Sequence, residues 1–245
     1  MSRKLIGRKI LVTGAASGIG REIAALFSSE GAALALLDRD EAGVLASAAS
    51  LSAAGFPCDV ANRGQVDRIV VAAAETLNGL DGVVNAAGVL DIRPFRELSP
   101  DSWDRMIAVN LTGPFNIVKA ALPFLLQAEW ATIVNVASIS ALVPMAGTAG
   151  YSASKAGLTM LTKGLAFDLG PRIRVNNICP GTIRTEMTRY IWEDPAYSER
   201  AAARVALKRL GDPVDVARAA LFFMTEDSAF TTGTDFPVDG GFCWR

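Results

Sequence analysis

Short runs of β-branched and aliphatic residues alternate with longer stretches of helical period along almost the whole chain. Repeated strand–helix–strand units predict a parallel sheet with helices packed on both faces. The expected strands are Lys9–Thr13, Ala33–Asp38, Gly55–Asp59, Gly82–Asn85, Ala131–Ala137, Arg174–Cys179 and Thr234–Val238. The expected helices are Ile19–Ser29, Asn62–Leu77, Ser102–Gln127, Tyr151–Leu169 and Pro213–Met224. The stretch between Asp38 and Gly55 is short for a full crossover and predicts only a small helix. No linker, repeat or low-complexity segment breaks the pattern, so residues 1–245 read as one doubly wound α/β domain. Residues 186–210 are the exception: they lack a strand signal and carry Tyr190, Trp192, Pro195 and Tyr197 among several charges. Such a segment is either a decorated surface loop or a lid. Its place after a strand's carboxyl end, where open α/β sheets bind ligands, favours the lid.

Composition narrows the function. Apolar residues make up 51% of the chain, enough for a large core. The net charge is −1 with no cluster of Lys and Arg, which argues against nucleic acid. No apolar run reaches the ~18 residues of a membrane span, and the opening Met1–Gly7 is too poor in apolar residues for a signal peptide. The three cysteines, Cys58, Cys179 and Cys243, show no metal-ligand spacing. Their sparse, odd count fits a reducing, cytoplasmic setting.

The turn Thr13-Gly-Ala-Ala-Ser-Gly-Ile-Gly20 joins the first strand to the first helix. Gly14, Gly18 and Gly20 let backbone N–H groups approach a pyrophosphate, and the helix that Ile19 begins adds partial positive charge. Asp38 closes the second strand, 18 residues after Gly20. A carboxylate there accepts hydrogen bonds from an adenosine ribose and repels a 2′-phosphate. Ser17 adds no positive charge, whereas Arg39 would favour a phosphate. The balance favours NAD over NADP.

Tyr151 and Lys155 lie four apart, on one helix face, and Ser138 stands thirteen residues before the tyrosine. The chain contains no histidine, so the commonest general base is missing. Free tyrosine titrates near ~10, and an ammonium held beside it favours the phenolate. Ser140 competes with Ser138 as the partner hydroxyl, and the spacing favours Ser138.

Together these motifs resemble the short-chain dehydrogenase/reductase family over essentially the whole chain. Asn85-Ala86-Ala87-Gly88 is similar to the family's segment after the fourth strand, which supports the sheet and the adenosine side of the cofactor. Asp59-Val60 is similar to its adenine-contacting pair. Asn110 matches the catalytic asparagine, which would position a water linking Lys155 to solvent. Ser138, Tyr151 and Lys155 match the other catalytic positions. Pro180-Gly181 resembles the turn beside the nicotinamide, with Ile183 just beyond it and Thr185 at the carboxamide position. Asp239-Gly240-Gly241 resembles a C-terminal signature. The resemblance implies a seven-stranded, Rossmann-like parallel sheet. It also implies hydride transfer between NAD(H) and an alcohol or carbonyl, with Tyr151 as acid or base, Lys155 lowering its pKa and binding the ribose, and Ser138 holding the substrate oxygen. No metal is implied.

On a helical wheel Leu158, Leu161, Leu165 and Leu169 cluster on one side of residues 151–169, and Ala153, Gly157, Met160 and Gly164 on the other. Two apolar faces predict burial on both. With the family's habit of pairing through this helix, they predict a homotetramer. Pocket candidates are Leu90, Ile92, Arg93, Ser140, Val143, Met145, Tyr190 and Trp192. They mix apolar and basic character and leave the substrate open. An NADPH-dependent 3-ketoacyl carrier-protein reductase is the neighbouring reading. A non-catalytic NAD-binding subunit is the reading from another class.

Overall fold

The computed structural model describes residues 3–243, so the two residues at each end of the expected domain, and with them the start of the opening segment, lie outside the described residues. The elements run β1 (Lys9–Thr13), α1 (Gly18–Ser29), β2 (Ala33–Asp38), α2 (Glu41–Leu51), β3 (Ala54–Pro57), α3 (Arg63–Leu77) and β4 (Gly82–Asn85). Then come α4 (Pro100–Ile107), α5 (Gly113–Leu125), β5 (Ala131–Val136), α6 (Ala149–Leu169) and β6 (Ile173–Pro180). The chain continues through α7 (Arg189–Trp192), α8 (Pro195–Ala203), α9 (Pro213–Met224) and β7 (Asp235–Val238). The seven strands form one parallel sheet in the order β3-β2-β1-β4-β5-β6-β7.

Strand period divides the core into two layers. Ile10, Val12, Leu34 and Leu36 meet α1, α2 and α9 through Ile23, Phe27, Val44, Val216 and Phe223. The alternate residues Leu11, Ala35 and Leu37 face α3, α5 and α6 through Val66, Val70, Ile117, Leu125 and Ala166. Phe27 and Phe223 are fully buried, each contributing about 2–3 kcal/mol by area.

Four elements differ from expectation. α2 runs for 11 residues and is not the small helix expected before Gly55. β3 ends at Pro57, so Cys58 and Asp59 leave the strand. Ser102–Gln127 is not one helix. A π turn over Ala108–Thr112 separates α4 from α5. Pro114 has no N–H to give the α-helical bond to the Asn110 carbonyl, so an α-helix cannot pass unaltered through this point. Residues 186–210 are not irregular either. They contain a 3₁₀ turn (Glu186–Thr188), α7 and α8, and none of these three pieces has a buried residue. The segment is fastened at its far end by Val205 and Leu210, which are buried.

A row of polar side chains crosses the right half of the sheet. Asn85, Asn135, Asn177 and Asp235 sit opposite one another on β4 to β7. Asn85 Nδ2 donates to Asn135 Oδ1 at 2.8 Å, and Asn135 Nδ2 to Thr162 Oγ1 of α6 at 2.7 Å. Thr162 donates to Asn177 Oδ1, and Asn177 Nδ2 to Asp235 Oδ1, each at 2.7 Å.

Candidate active site

The order of strands reverses between β1 and β4, and the crevice at their carboxyl ends is where such sheets bind ligands. The glycine turn forms its floor. Gly14 (φ +70°) packs so close to the Ala86–Ala87 peptide that a Cβ would lie 2.7 Å from Ala87 N. Gly20 lets the first turn of α1 lie on the turn itself, since a Cβ there would come within 2.2 Å of the Gly14 oxygen. Ser17 caps α1 without a side-chain bond, and the first turn carries no acidic residue. The N-terminal N–H groups and the positive end of the helix are thus left for an anion.

A cleft of about 330 Å³ runs over this turn, lined also by Asp38, Arg39, Asp59, Val60, Gly88 and Thr185. Asp38 is tied at both oxygens: Oδ2 accepts from Ala16 N at 3.1 Å and Oδ1 from Asp40 N at 3.0 Å. Asp59 Oδ1 accepts from Ala61 N. The helix α2 has its own part here, because its cap Asp40 accepts from Gly43 N and a Cβ on Gly43 would strike Ala16.

The proton-transfer candidates meet in an adjoining pocket of about 150 Å³. Ser138 follows β5, and its Oγ accepts from Ser140 N at 3.1 Å. Tyr151 and Lys155 share one face of α6. The Lys155 ammonium donates to the Val136 carbonyl at 2.8 Å and lies 5.9 Å from the Tyr151 ring centre. Burial pushes the Tyr151 phenol up, and its hydrogen bond with Ser138 opposes this. Burial also pushes Lys155 down, to about 8, with the nearby Cys179 pulling the other way. The Lys155 ammonium, which the sequence places on the same helix face as the phenol, is engaged by a backbone carbonyl.

Asn110 sits in the π turn, fully buried. Its Oδ1 accepts from Val89 N at 2.8 Å, and its Nδ2 donates to Val89 O and Ser154 Oγ. Its side chain therefore clamps the strand-end loop.

Of the expected cofactor contacts, Gly14, Ser17, Gly18, Ile19, Gly20, Asp38, Asp59, Val60, Ala86, Gly88, Tyr151, Lys155, Pro180, Gly181, Ile183 and Thr185 line one or other of the two cavities. Asn85 lines neither. It is buried and points along the polar row instead. Among the pocket candidates Leu90, Ile92, Ser140, Met145 and Tyr190 line the inner cavity, but Arg93, Val143 and Trp192 do not. Arg93 pairs with Asp91, and Trp192 Nε1 donates to the Thr185 carbonyl at 2.9 Å. Sequence reasoning missed Ala16, Cys58, Val109 and Met187, which contribute to the cleft walls. Cys58 and Val109 immediately precede motif residues, and that adjacency was the available signal.

An uncapped helix N-terminus, a glycine floor and a carboxylate at the far strand end fit a dinucleotide running from Asp38 towards Tyr151. Among the described residues no acidic, histidine and cysteine group is arranged to hold a metal, and no helix is long and apolar enough to cross a membrane.

Comparison with known proteins bears on the same residues. A family model described as enoyl-(acyl carrier protein) reductase matches residues 14–243. The 2-(S)-hydroxypropyl-CoM dehydrogenase 3 of Xanthobacter autotrophicus is 38% identical, with 98% of each chain covered. The short-chain dehydrogenase/reductase structure from Brucella melitensis described as glucose/ribitol dehydrogenase is 36% identical, with 99% of each chain covered and a TM-score of 0.94. A gluconate 5-dehydrogenase from Burkholderia cenocepacia, solved with NADP and tartrate, is 30% identical with a TM-score of 0.94, covering 100% of this chain and 98% of its own. With the sheet order, the glycine turn and these matches in agreement, the chain belongs to the short-chain dehydrogenase/reductase family.

Proposed function

We propose that this oxidoreductase transfers a hydride reversibly between NAD(H) and a secondary alcohol or its carbonyl, with Tyr151 as general base in oxidation and general acid in reduction. The observation that carries the reading is the convergence of Ser138, Tyr151 and Lys155 on a pocket that opens beside the glycine-floored cleft. The glycine turn, Asp38, Asp59 and Thr185 would hold the dinucleotide, and the nicotinamide would supply the hydride acceptor or donor. Ser138 Oγ donates to the substrate oxygen and keeps it within reach of Tyr151. Tyr151 takes the hydroxyl proton in oxidation and returns it in reduction. Lys155, mostly protonated at neutral pH with a value of about 8, supplies positive charge behind the phenol. Asn110 holds Val89 and so fixes one wall of the cleft.

Tyr151→Phe tests this directly, because it deletes one oxygen and keeps the ring. Turnover should fall ~10²–10⁴-fold with NADH affinity retained; near-normal turnover would overturn the assignment. Oxidation needs the phenolate, so its rate should rise with pH through one apparent pKa. The Ser138 hydrogen bond lowers that phenol. Ser138→Ala should therefore move the pH profile upward, and an unmoved profile counts against this pairing.

Asp38 supports NAD. Arg39 lines the same cleft, and NADP occupies the Burkholderia relative. This favours, as the second reading, an NADPH-dependent ketoreductase, which steady-state constants for the two cofactors distinguish. We place the enzyme in the cytoplasm, consistent with three free cysteines.

We further propose a homotetramer that pairs through α6. Met160 and Phe167 on this helix are 65% and 91% exposed, and no atom lies within 4 Å of a Cβ built on Gly164. The expected small-residue stripe is narrower than the sequence suggested, because Gly157 is covered by Leu111 of the same chain. Gly164→Glu should lower the oligomeric state in sedimentation, and a monomeric wild type rejects the proposal.

A further inference from the structure

The inner pocket is apolar except where its hydroxyls gather. Leu90, Ile92, Met145, Met187 and Ile191 form its walls, and Lys155 is its one charged side chain. The three arginines next to its lining residues along the chain are each paired. Arg93 pairs with Asp91 at 2.8 Å, Arg184 with Asp212 at 3.1 Å, and Arg189 lies between Glu186 and Glu193. A carboxylate or phosphate brought into this pocket would lose its water without gaining a cationic partner beyond the lysine behind Tyr151.

The buried hydroxyls are not equivalent. Thr148 Oγ1 already donates to the Met145 carbonyl and bonds Ser152. Ser138 Oγ accepts from Ser140 N at 3.1 Å. Ser140, on the 3₁₀ turn Ile139–Ala141, is only 3% exposed. Its Oγ is one of just two buried side-chain polar atoms without a partner among the described residues, the other being Asn85 Oδ1. An unpaired buried hydroxyl is costly, and a serine can turn between staggered wells to present its oxygen to a ligand.

Resting on the oxidoreductase reading above, the geometry points to a compact, uncharged substrate with two neighbouring oxygens, a vicinal diol or its α-hydroxy ketone. One oxygen reacts at Ser138 and Tyr151, and the second is received by Ser140. Ser140 is thus a specificity residue, two positions along the turn from the catalytic serine.

The test measures reduction by NADH of acetoin, of butanone, which has the same skeleton without the second oxygen, and of pyruvate, which is an anion. Wild type should prefer acetoin to butanone in kcat/KM and should use pyruvate least. Ser140→Ala should lower the acetoin-to-butanone ratio roughly fivefold to tenfold, the worth of one hydrogen bond. Intrinsic reactivity of the ketones cancels in that comparison, and a purely structural defect would depress both alike. A ratio unmoved by Ser140→Ala, or a preference for pyruvate, overturns the substrate assignment and leaves the oxidoreductase reading intact. No turnover of any of the three despite NADH binding overturns both.

Discussion

In the turn after β1 a single methyl group has nowhere to go: a Cβ on Gly20 would lie 2.2 Å from a backbone oxygen, and one on Gly14 2.7 Å from a backbone nitrogen. In the segment from Glu186 to Ala203, by contrast, the 3₁₀ turn and both helices bury no residue at all. The first region holds its shape through backbone against backbone. The second is held by Trp192 bonding the Thr185 carbonyl, surface ion pairs and the buried anchors at Val205 and Leu210. Segments with few buried contacts open at low free energy. A protein that must grip one common cofactor and admit a particular substrate is well served by this division.

Substitutions can break that contrast. Gly20→Ala should have the largest effect, since the overlap is with backbone and cannot be relieved by a rotamer change. We expect a loss of about 3 kcal/mol or more, read as a fall in melting temperature together with weakened NADH binding. Normal stability would mean that the turn is more pliant than its packing indicates. Asp38→Ser comes next. It removes a charge that repels a 2′-phosphate and should narrow the NAD over NADP preference at least about tenfold; equal use of both cofactors by the wild type would refute the premise. The smallest effect belongs to the segment from Glu186 to Ala203. Arg189→Ala removes two exposed ion pairs, and such pairs contribute little in water. Melting temperature should stay within error, and a clear drop would show that this segment is fastened more firmly than its surface contacts suggest.

The same contrast explains what could be read from the sequence. Alternating strands and helices specified the sheet because burial on two faces demands that period. The glycine turn was legible because close backbone approach leaves a mark in composition. Asn85 shows the limit. Its type and place at the end of β4 were visible, but its orientation depends on meeting Asn135 across the strand pair, and cross-strand register is not written locally. The π turn was missed although Pro114 signalled it. A proline is tolerated in the first turn of a helix, but the expected helix ran unbroken through it from Ser102 to Gln127. Arg93 was assigned to the pocket by position alone, and its capture by Asp91 is a matter of side-chain geometry.

The two bonds that Asp38 accepts from Ala16 and Asp40 have a consequence for how such an enzyme can change. The carboxylate that would discriminate between coenzymes is also the strut that joins the glycine loop to the start of the next helix. A mutation that relaxes discrimination therefore slackens the loop at the same time. Descendants of this protein, or engineered versions of it, would reach a new coenzyme more readily by first adding a replacement acceptor nearby and only then giving up the acid. The order of the two steps decides whether the intermediate still works.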